Sequence, residues 1–278
     1  MHSEKMISAS IVLYNTDPLQ LQKAIASYNP SEEKILYLID NSPEQTNIKH
    51  ILNDNGNIRY YYTGKNKGYG AGHNIAIRMA LNENAQYHVV LNPDLEFEPH
   101  IIDEIVEFME MDVSIAQVMP KVVNYKKEIQ YLCKLIPTPI DLIYKRFFPG
   151  SLFKKRSFIY QLKFTSYNKQ MNIPCLSGCF MFFRVSALET AGIFDERFFM
   201  YAEDIDITRR MHKLYKTIYY PKVSIIHAHA AESYHSKKMM VMHIISIIKY
   251  FNKWGWIFDN ERTIINKNIL KELDYERL

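Results

Sequence analysis

The sequence is poor in cysteine, nearly balanced in charge and free of long apolar runs, and each shortage closes off a class of protein. Three cysteines in 278 residues cannot build a disulfide framework. Cys175 and Cys179 stand four apart with no second pair to complete a zinc site, so buried free thiols are expected. No stretch reaches the roughly eighteen apolar residues of a membrane-spanning helix. The opening MHSEKMISAS lacks the apolar core of a secretory signal. A reducing cytoplasm is therefore the expected location. A net charge of +4 is too small to indicate nucleic acid by itself. With 47% hydrophobic and 23% charged residues, the composition is that of a globular protein. Its length suits one large α/β domain, or one domain with an appended piece.

Strand and helix patterns alternate from the start. Met6–Leu13 reads as a buried strand ending at Tyr14-Asn15-Thr16-Asp17-Pro18. Thr16 or Asp17 can cap the helix Leu19–Tyr28, and Pro18 suits its first turn. Lys34–Ile39 is a second strand ending in Asp40-Asn41-Ser42; a helix-like stretch, Ile48–Asn53, precedes a third strand at Ile58–Tyr62. This β-α-β-α-β order predicts a doubly wound, mostly parallel sheet. A helix at Ile75–Leu81 leads to a fourth strand, and an amphipathic helix follows at Pro99–Met111. Further strands are expected at Ser114–Pro120, Ile173–Val185 (bent at Ser177-Gly178), Thr217–Tyr220 and Lys222–Ile226. Short helices are expected at Ser186–Ala191 and from Glu203 to about Leu214.

Four stretches carry candidate chemistry. Tyr87–Glu98 joins a buried run, Val89-Val90-Leu91, to Asn92-Pro93-Asp94; proline stops the strand and leaves Asp94 at its carboxyl end, where open α/β sheets bind ligands. Asp94 is either part of a plain turn or an oxygen ligand to a hard divalent cation. Lys65–Asn74 holds Gly68, Gly70 and Gly72, which either form a flexible turn or let amides approach a diphosphate. Glu203, Asp204 and Asp206 crowd a helix start, where they either complement the dipole or supply a general base. His227-Ala228-His229 ends a strand, and a histidine there is either structural or half of a metal site shared with a distant aspartate.

Two stretches mix basic and aromatic residues. Between Tyr125 and Lys169 ten lysines and arginines face only Glu128 and Asp141, with aromatics interleaved, among them Tyr131, Tyr144, Phe147, Phe148, Phe153, Phe158, Tyr160 and Phe164. Lys237–Trp256 alternates lysines with Met, Ile, Phe and Trp. Both suit an anionic lipid surface, and the bland readings are a solvated loop and a helix packed on the core. No nucleic-acid recognition motif accompanies the charge, so no nucleic-acid partner is expected.

Taken in order, these stretches resemble family 2 glycosyltransferases, the inverting GT-A class, in their bacterial rhamnosyltransferase-like branch. The matches are Ile11-Val12-Leu13-Tyr14-Asn15, Ile39-Asp40-Asn41-Ser42, Asn66-Lys67-Gly68-Tyr69-Gly70-Ala71-Gly72-His73-Asn74, Leu91-Asn92-Pro93-Asp94, Ser177-Gly178 and Phe194–Phe199 through Glu203-Asp204-Ile205-Asp206. His227 and Lys249-Tyr250-Phe251-Asn252-Lys253-Trp254-Gly255 complete the set, which spans about 250 residues.

The resemblance implies a GT-A domain over residues 1–236, with a nucleotide-sugar half (1–120), a basic-aromatic insertion (121–172) and an acceptor half (173–236). A C-terminal amphipathic helical extension would occupy 237–278. Tyr14, Asn15 and Asp40 would hold the base and ribose, and Lys67, Gly68, Gly70 and Asn74 would lie near the nucleotide and its diphosphate. Asn92-Pro93-Asp94 stands where the family has an Asp-x-Asp metal motif, so only Asp94 is a charged ligand. His227 would be the second ligand to Mg2+ or Mn2+, with His229 as fallback. Asp204 would be the base; Glu203, Ser177 and Gly178 would meet the acceptor. The implied reaction transfers a sugar, first of all L-rhamnose from dTDP-L-rhamnose or otherwise a UDP-sugar, onto a polyprenyl-diphosphate-linked glycan at the inner leaflet, in O-antigen or capsule synthesis. The enzyme would sit peripherally on the cytoplasmic face.

Three other readings compete. A nicotinamide oxidoreductase would share the α/β pattern but needs a glycine fingerprint in the first turn, which is missing. A nucleotidyltransferase needs a basic pyrophosphate-gripping loop near the N-terminus, which Tyr14–Pro18 is not. A non-catalytic binding module would lack the base or the metal ligands, whereas Asp94, Asp204 and His227 are all present.

Overall fold

The computed structural model describes residues 5–46, 48, 55–144, 154–228 and 237–275. Strands β1 (Ile7–Leu13), β2 (Lys34–Asp40), β3 (Ile58–Tyr62) and β4 (Tyr87–Leu91) pair in parallel in the order β3-β2-β1-β4. Helices α1 (Pro18–Tyr28) and α2 (Tyr69–Asn82) connect them. Asp17 caps α1, accepting from the amides of Leu19 and Gln20 at 2.9 Å each, and Pro18 occupies the first turn, where its missing N–H costs nothing. Most of the helix expected at 48–53 lies outside the described residues.

The chain continues through β5 (Leu95–Glu96), α3 (His100–Glu110) and β6 (Ile115–Val123), then a π-helical turn (Ile140–Tyr144) and α4 (Lys154–Tyr160). After β7 (Met171–Asn172) come β8 (Phe180–Arg184), α5 (Val185–Ala191), α6 (Glu203–His212) and β9 (Lys216–His227), and α7 (Lys237–Trp254) and α8 (Asn260–Glu272) close it. β8 runs antiparallel between β4 and β6, while β6 and β9 are parallel again. The long β1–β2 and β6–β9 ladders make the mixed sheet mostly parallel. The two strands expected at Thr217–Tyr220 and Lys222–Ile226 are one, with a register shift where Tyr220 and Ser224 pair with successive residues Pro120 and Lys121. Pro221 falls in that irregularity, the place where a sheet tolerates a missing donor.

Side-chain alternation builds a core on each face. Leu36 and Leu38 of β2 and Phe180 and Phe182 of β8 pack with α1 and α3, while Ile35, Tyr37 and Ile39 meet α2. Met181 and Phe183 face α5 and α6 on that same side. A fully buried phenylalanine contributes about 1.5–3 kcal/mol, so these strands are pinned in register from both faces.

The segment read as a basic-aromatic insertion is largely structural where it is described. Tyr160, Leu162 and Tyr167 are buried with Cys133, Leu135 and Tyr219, Arg156 pairs with Asp141 at 2.7 Å, and Lys163 lies 4.8 Å above the Tyr131 ring. Phe158 is exposed. Lys145, Arg146, Phe147, Phe148 and Phe153 lie outside the described residues. Among the described residues, no helix is long and apolar enough to cross a membrane. All three cysteines are buried free thiols, as expected.

Candidate active site

The glycine stretch is where the structure departs furthest from the sequence reading. Helix α2 starts at Tyr69, so Gly70 and Gly72 lie in its first turn and the helix is six residues longer at its start than the predicted Ile75–Leu81. Gly68 is the N-cap at φ +92°, and a Cβ there would collide with the Phe199 carbonyl. That carbonyl accepts from the Tyr69 amide at 2.9 Å. A Cβ at Gly72 would come within 2.7 Å of Val12. These two glycines permit close packing of the helix start against the 194–199 segment and β1. Lys67 is exposed beside them.

Asn74 and Asp40, expected to face the nucleotide, are placed differently. Asn74 is fully buried; its amide donates to the Phe194 carbonyl at 2.9 Å and accepts from the Phe194 amide at 3.0 Å. Its Nδ2 also donates to Glu196 Oε1 at 3.0 Å, so Asn74 anchors the 194–199 segment and both of its donors are taken up there. Asp40 is also fully buried and accepts from the amides of Ser42 (2.9 Å) and Thr46 (2.8 Å) and from the Tyr60 hydroxyl. Burial alone would raise its pKa, but these donors outweigh it and hold the carboxyl below its ordinary value. Asp40 therefore shapes the loop from within. Tyr14 is exposed, and Asn15, at φ +50°, donates its amide to Ser42 Oγ at 3.0 Å, so that turn stands on the Asp40 loop.

Asn92, Asp94 and His227 do come together. β5 folds back to pair Leu95 with His227, the last residue of β9, and the Ala228 amide donates to the Asp94 carbonyl at 3.1 Å. His227 Nε2 then lies 3.3 Å from Asp94 Oδ1 and 3.4 Å from Asn92 Nδ2. Gln130 grips the other side of the ring: its Nε2 donates to the His227 carbonyl at 2.8 Å, and its Oε1 faces Nδ1 at 3.0 Å. Nδ1 is thus placed to donate to Gln130, and Nε2 faces a carboxylate. In the neutral ring with its hydrogen on Nδ1, Nε2 and Asp94 are two electron-pair donors that suit a bridging divalent cation. Among the described residues no third His, Cys, Asp or Glu joins them. A cation here would draw its remaining ligands from phosphate and water. His229 lies outside the described residues.

Asp204 and Glu203 open α6, and their environments differ. Asp204 is half-buried and its Oδ2 accepts from the Gly178 amide at 3.0 Å. A Cβ at Gly178 would stand 3.3 Å from that of Asp204, so the glycine lets the loop before β8 press against the acid. Glu203 is buried, and its Oε2 has no hydrogen-bond partner among the described residues. Burial, followed by the charge on Asp204, raises its pKa to about 8. Asp206 serves elsewhere, fully buried and bound to Arg210 (2.9 Å), Lys253 (2.6 Å) and Trp254 Nε1 (2.8 Å).

Tyr69 links these parts and was not singled out from the sequence. Its hydroxyl lies 2.6 Å from the Gly178 carbonyl and 3.0 Å from Asn92 Oδ1. Burial, with Cys179, Glu203, Asp204 and Asp94 around it, holds that hydroxyl well above its ordinary pKa. A cavity of about 390 Å³ opens beside this cluster, lined by Ser177, His227, Gln130, Leu132, Asn124 and Ala228. Tyr201 and Ala202, just before α6, are both left-handed at φ +68° and +67°, a conformation that stores about 1–3 kcal/mol per residue. Ser246 of α7 holds that segment by donating to the Met200 carbonyl at 2.7 Å.

The sequence model of Glycosyl transferase family 2 matches residues 8–192. The chain belongs to that family. It is 26% identical over 244 residues to an N-acetylglucosaminyl-diphospho-decaprenol L-rhamnosyltransferase of Mycobacterium tuberculosis, an alignment covering 80% of this chain and 75% of the relative. The low-salt glycan biosynthesis hexosyltransferase Agl10 of Haloferax volcanii is 28% identical over 177 residues, with 63% of this chain and 52% of that protein covered. In structure this chain resembles GalNAc-T7 with UDP, GalNAc and Mn2+ (TM-score 0.58, 16% identity, 80% of this chain) and Staphylococcus aureus TarS 1-349 with UDP (TM-score 0.54, 15% identity, 87%). The fold is GT-A-like. This chain spans 43% of the GalNAc-T7 chain and 65% of the TarS chain.

Proposed function

We propose that this glycosyltransferase moves a sugar, in the first instance L-rhamnose from dTDP-L-rhamnose, onto a hydroxyl of a lipid-linked glycan, with inversion at the anomeric carbon. The observation that carries the mechanism is the pairing of a half-buried Asp204 with the Gly178 amide, within the electrostatic reach of Tyr69 that also takes in Asp94.

Asp204 is the general base. An acceptor hydroxyl is a poor nucleophile until a positioned carboxylate takes its proton as attack proceeds. The Gly178 amide holds Oδ2, which fixes the orientation of the carboxylate. One base and in-line attack from the face opposite the leaving group give inversion. Glu203, with its high pKa, keeps its proton at neutral pH and positions the acceptor. Ser177, in the wall of the cavity, lies on the acceptor side. Asp94 and His227 would hold Mg2+ or Mn2+, and the donor set facing across 3.3 Å fits such an ion. Bound there, the ion would stabilise charge developing on the departing nucleoside diphosphate. Tyr14 and Asn15 would meet the base and ribose, and Lys67 would approach the phosphates.

The name of the mycobacterial relative supports a polyprenyl-diphosphate acceptor and hence a membrane surface. Val241, Ile245 and Ile248 form an exposed stripe on α7 at the spacing of one helical face, and Trp256, Ile257 and Phe258 extend it. No acid lies between residues 237 and 258. Such a face suits the anionic cytoplasmic leaflet, with the product entering O-antigen, capsule or another surface glycan.

A thermal-shift titration of dTDP, UDP, GDP and NAD, each with and without Mn2+, tests the donor reading. A ligand at a hundredfold excess over Kd adds about 2.7 kcal/mol of stability. A manganese-dependent shift with dTDP supports the proposal, and one with UDP alone moves the donor to a UDP-sugar. A shift with NAD alone, or none with any nucleotide, overturns it.

A further inference from the structure

We infer that Gln130 is a positioning residue that locks His227 in the tautomer whose Nε2 lone pair faces Asp94. The inference rests on the metal reading of Asp94 and His227 proposed above. Its own ground is the geometry of one side chain making two contacts to one histidine.

Gln130 Nε2 donates to the His227 main-chain carbonyl at 2.8 Å. That bond decides which way the amide points, because a flipped amide would set two carbonyl oxygens against each other. With the amide fixed, Oε1 must face the ring, and it lies 3.0 Å from Nδ1. An amide oxygen only accepts, so Nδ1 supplies the hydrogen. In the neutral ring Nε2 is then the electron-pair donor. Asn92 Nδ2, 3.4 Å away, is oriented consistently with this, since it is the hydrogen-bearing end of that amide which faces Nε2.

Gln130 itself is held by the sheet. Its backbone amide donates to the Val122 carbonyl at 2.9 Å, and Val123 bridges to Ile129. It therefore reaches His227 from a segment paired to the end of β6, whose last residue, Val123, is itself paired with Ile226 of β9. A histidine ligand whose far nitrogen is tied to an acceptor binds metal more tightly, and loss of such a partner typically weakens affinity about 10–100-fold.

The test compares the full chain with Gln130→Leu, Gln130→Glu, Asp94→Ala and His227→Ala. Mn2+ binding is read by electron paramagnetic resonance in the presence of dTDP and, separately, of UDP, and the His227 tautomer by 15N NMR of the metal-free protein. We expect the Nδ1–H tautomer in the wild type, and Mn2+ affinity weakened about 10–100-fold by Gln130→Leu. Gln130→Glu keeps an acceptor opposite Nδ1 but sets a carboxylate oxygen against the His227 carbonyl, so it should lose measurably less affinity than Gln130→Leu without reaching wild type. Equal loss in Leu and Glu variants would show that Gln130 acts only by holding the backbone, and would overturn the inference. So would an Nε2–H tautomer in the wild type, or unchanged affinity in Gln130→Leu while Asp94→Ala and His227→Ala abolish binding. Mn2+ binding indifferent to Asp94→Ala and His227→Ala, or no Mn2+ binding by the wild type, would remove the metal reading itself and the inference with it.

Discussion

Glu203 and Asp204 are adjacent in sequence, yet the structure buries one and leaves the other half-exposed, and Glu203→Gln tests what burial does to the first. Glu203 is buried with an unpaired oxygen and a pKa raised to about 8. In the unfolded chain the same carboxyl titrates near 4.3. Between these values the folded protein keeps a proton that the unfolded chain releases, so stability falls as pH rises. The slope approaches about 1.4 kcal/mol per pH unit for one proton. Glutamine has the shape of the protonated acid and no titration. The stability of Glu203→Gln minus that of wild type should therefore widen by about 2–3 kcal/mol from pH 5 to pH 7, measured by urea denaturation. The variant should also lose less than about tenfold in sugar transfer at neutral pH, because it replaces a neutral group. Asp204→Asn, which removes the base, should lose about 10²–10⁴-fold while still binding the nucleotide. Parallel stability curves for Glu203→Gln and wild type would refute the buried, protonated state. An inactive Glu203→Gln beside an active Asp204→Asn would exchange the two roles.

Three further outcomes are expected. Ser8 and Ser10 bridge buried His88 and His73 (2.7–2.9 Å); burial lowers His88 to about 3, His73 well below its ordinary value and His212 to about 4. The unfolded chain takes up these protons first, so stability should drop as pH falls below about 6.5. Denaturation in the Glu203→Gln background, which removes the opposing slope, should show this, and a flat profile between pH 6.5 and 4.5 would contradict it. Gly68→Ala combines φ +92° with a collision against Phe199 and should cost at least about 1–3 kcal/mol, whereas Gly56→Ala, with open space around it, should be near neutral in the same melt. Arg209, buried against Asp259 (2.8 Å) and Glu261 (2.9 Å) with its guanidinium 4.0 Å over Trp254, ties α6 to the C-terminal helices. Arg209→Met should cost about 3–5 kcal/mol, and proteolysis should then cut first near residues 255–260; unchanged stability would show the buried pair to be dispensable.

The alternation of strands and helices was legible because its signals are local. Asp17-Pro18 marks a helix start, and buried runs at β1, β2 and β4 carry their own pattern. The glycine stretch misled for a physical reason: Gly70 and Gly72 look like loop residues, but their missing side chains serve contacts with Phe194 and Val12, far away in the chain. Asp40 follows a strand and Asn74 closes the glycine stretch, and both are read there as nucleotide-site residues. No local rule reveals that their hydrogen bonds are taken up by backbone groups around them. Gln130 carries no sequence signal at all, because its partner is 97 positions away. Tyr69 could have been noticed, as a bulky residue between two glycines that had to point somewhere.

The direction of the sheet explains why the site forms where it does. A wholly parallel sheet would put the carboxyl ends of all strands on one edge and send the start of each to the other. Here β8 runs antiparallel beside β4, so the loop before β8 arrives at the edge where β4 ends. That brings Gly178 to Asn92, with Tyr69 bridging them, and the Asn92 amide donates to the Cys179 carbonyl at 2.9 Å. Likewise β5 turns back antiparallel onto the end of β9, which sets Asp94 against His227 across 133 residues of sequence. Gly178 then meets Asp204 from α6. Asp94, His227 and Asp204 are thus brought to one edge of the sheet through two reversals of strand direction. The aspartates and the histidine can be found one by one in the sequence, but their convergence is a property of the topology.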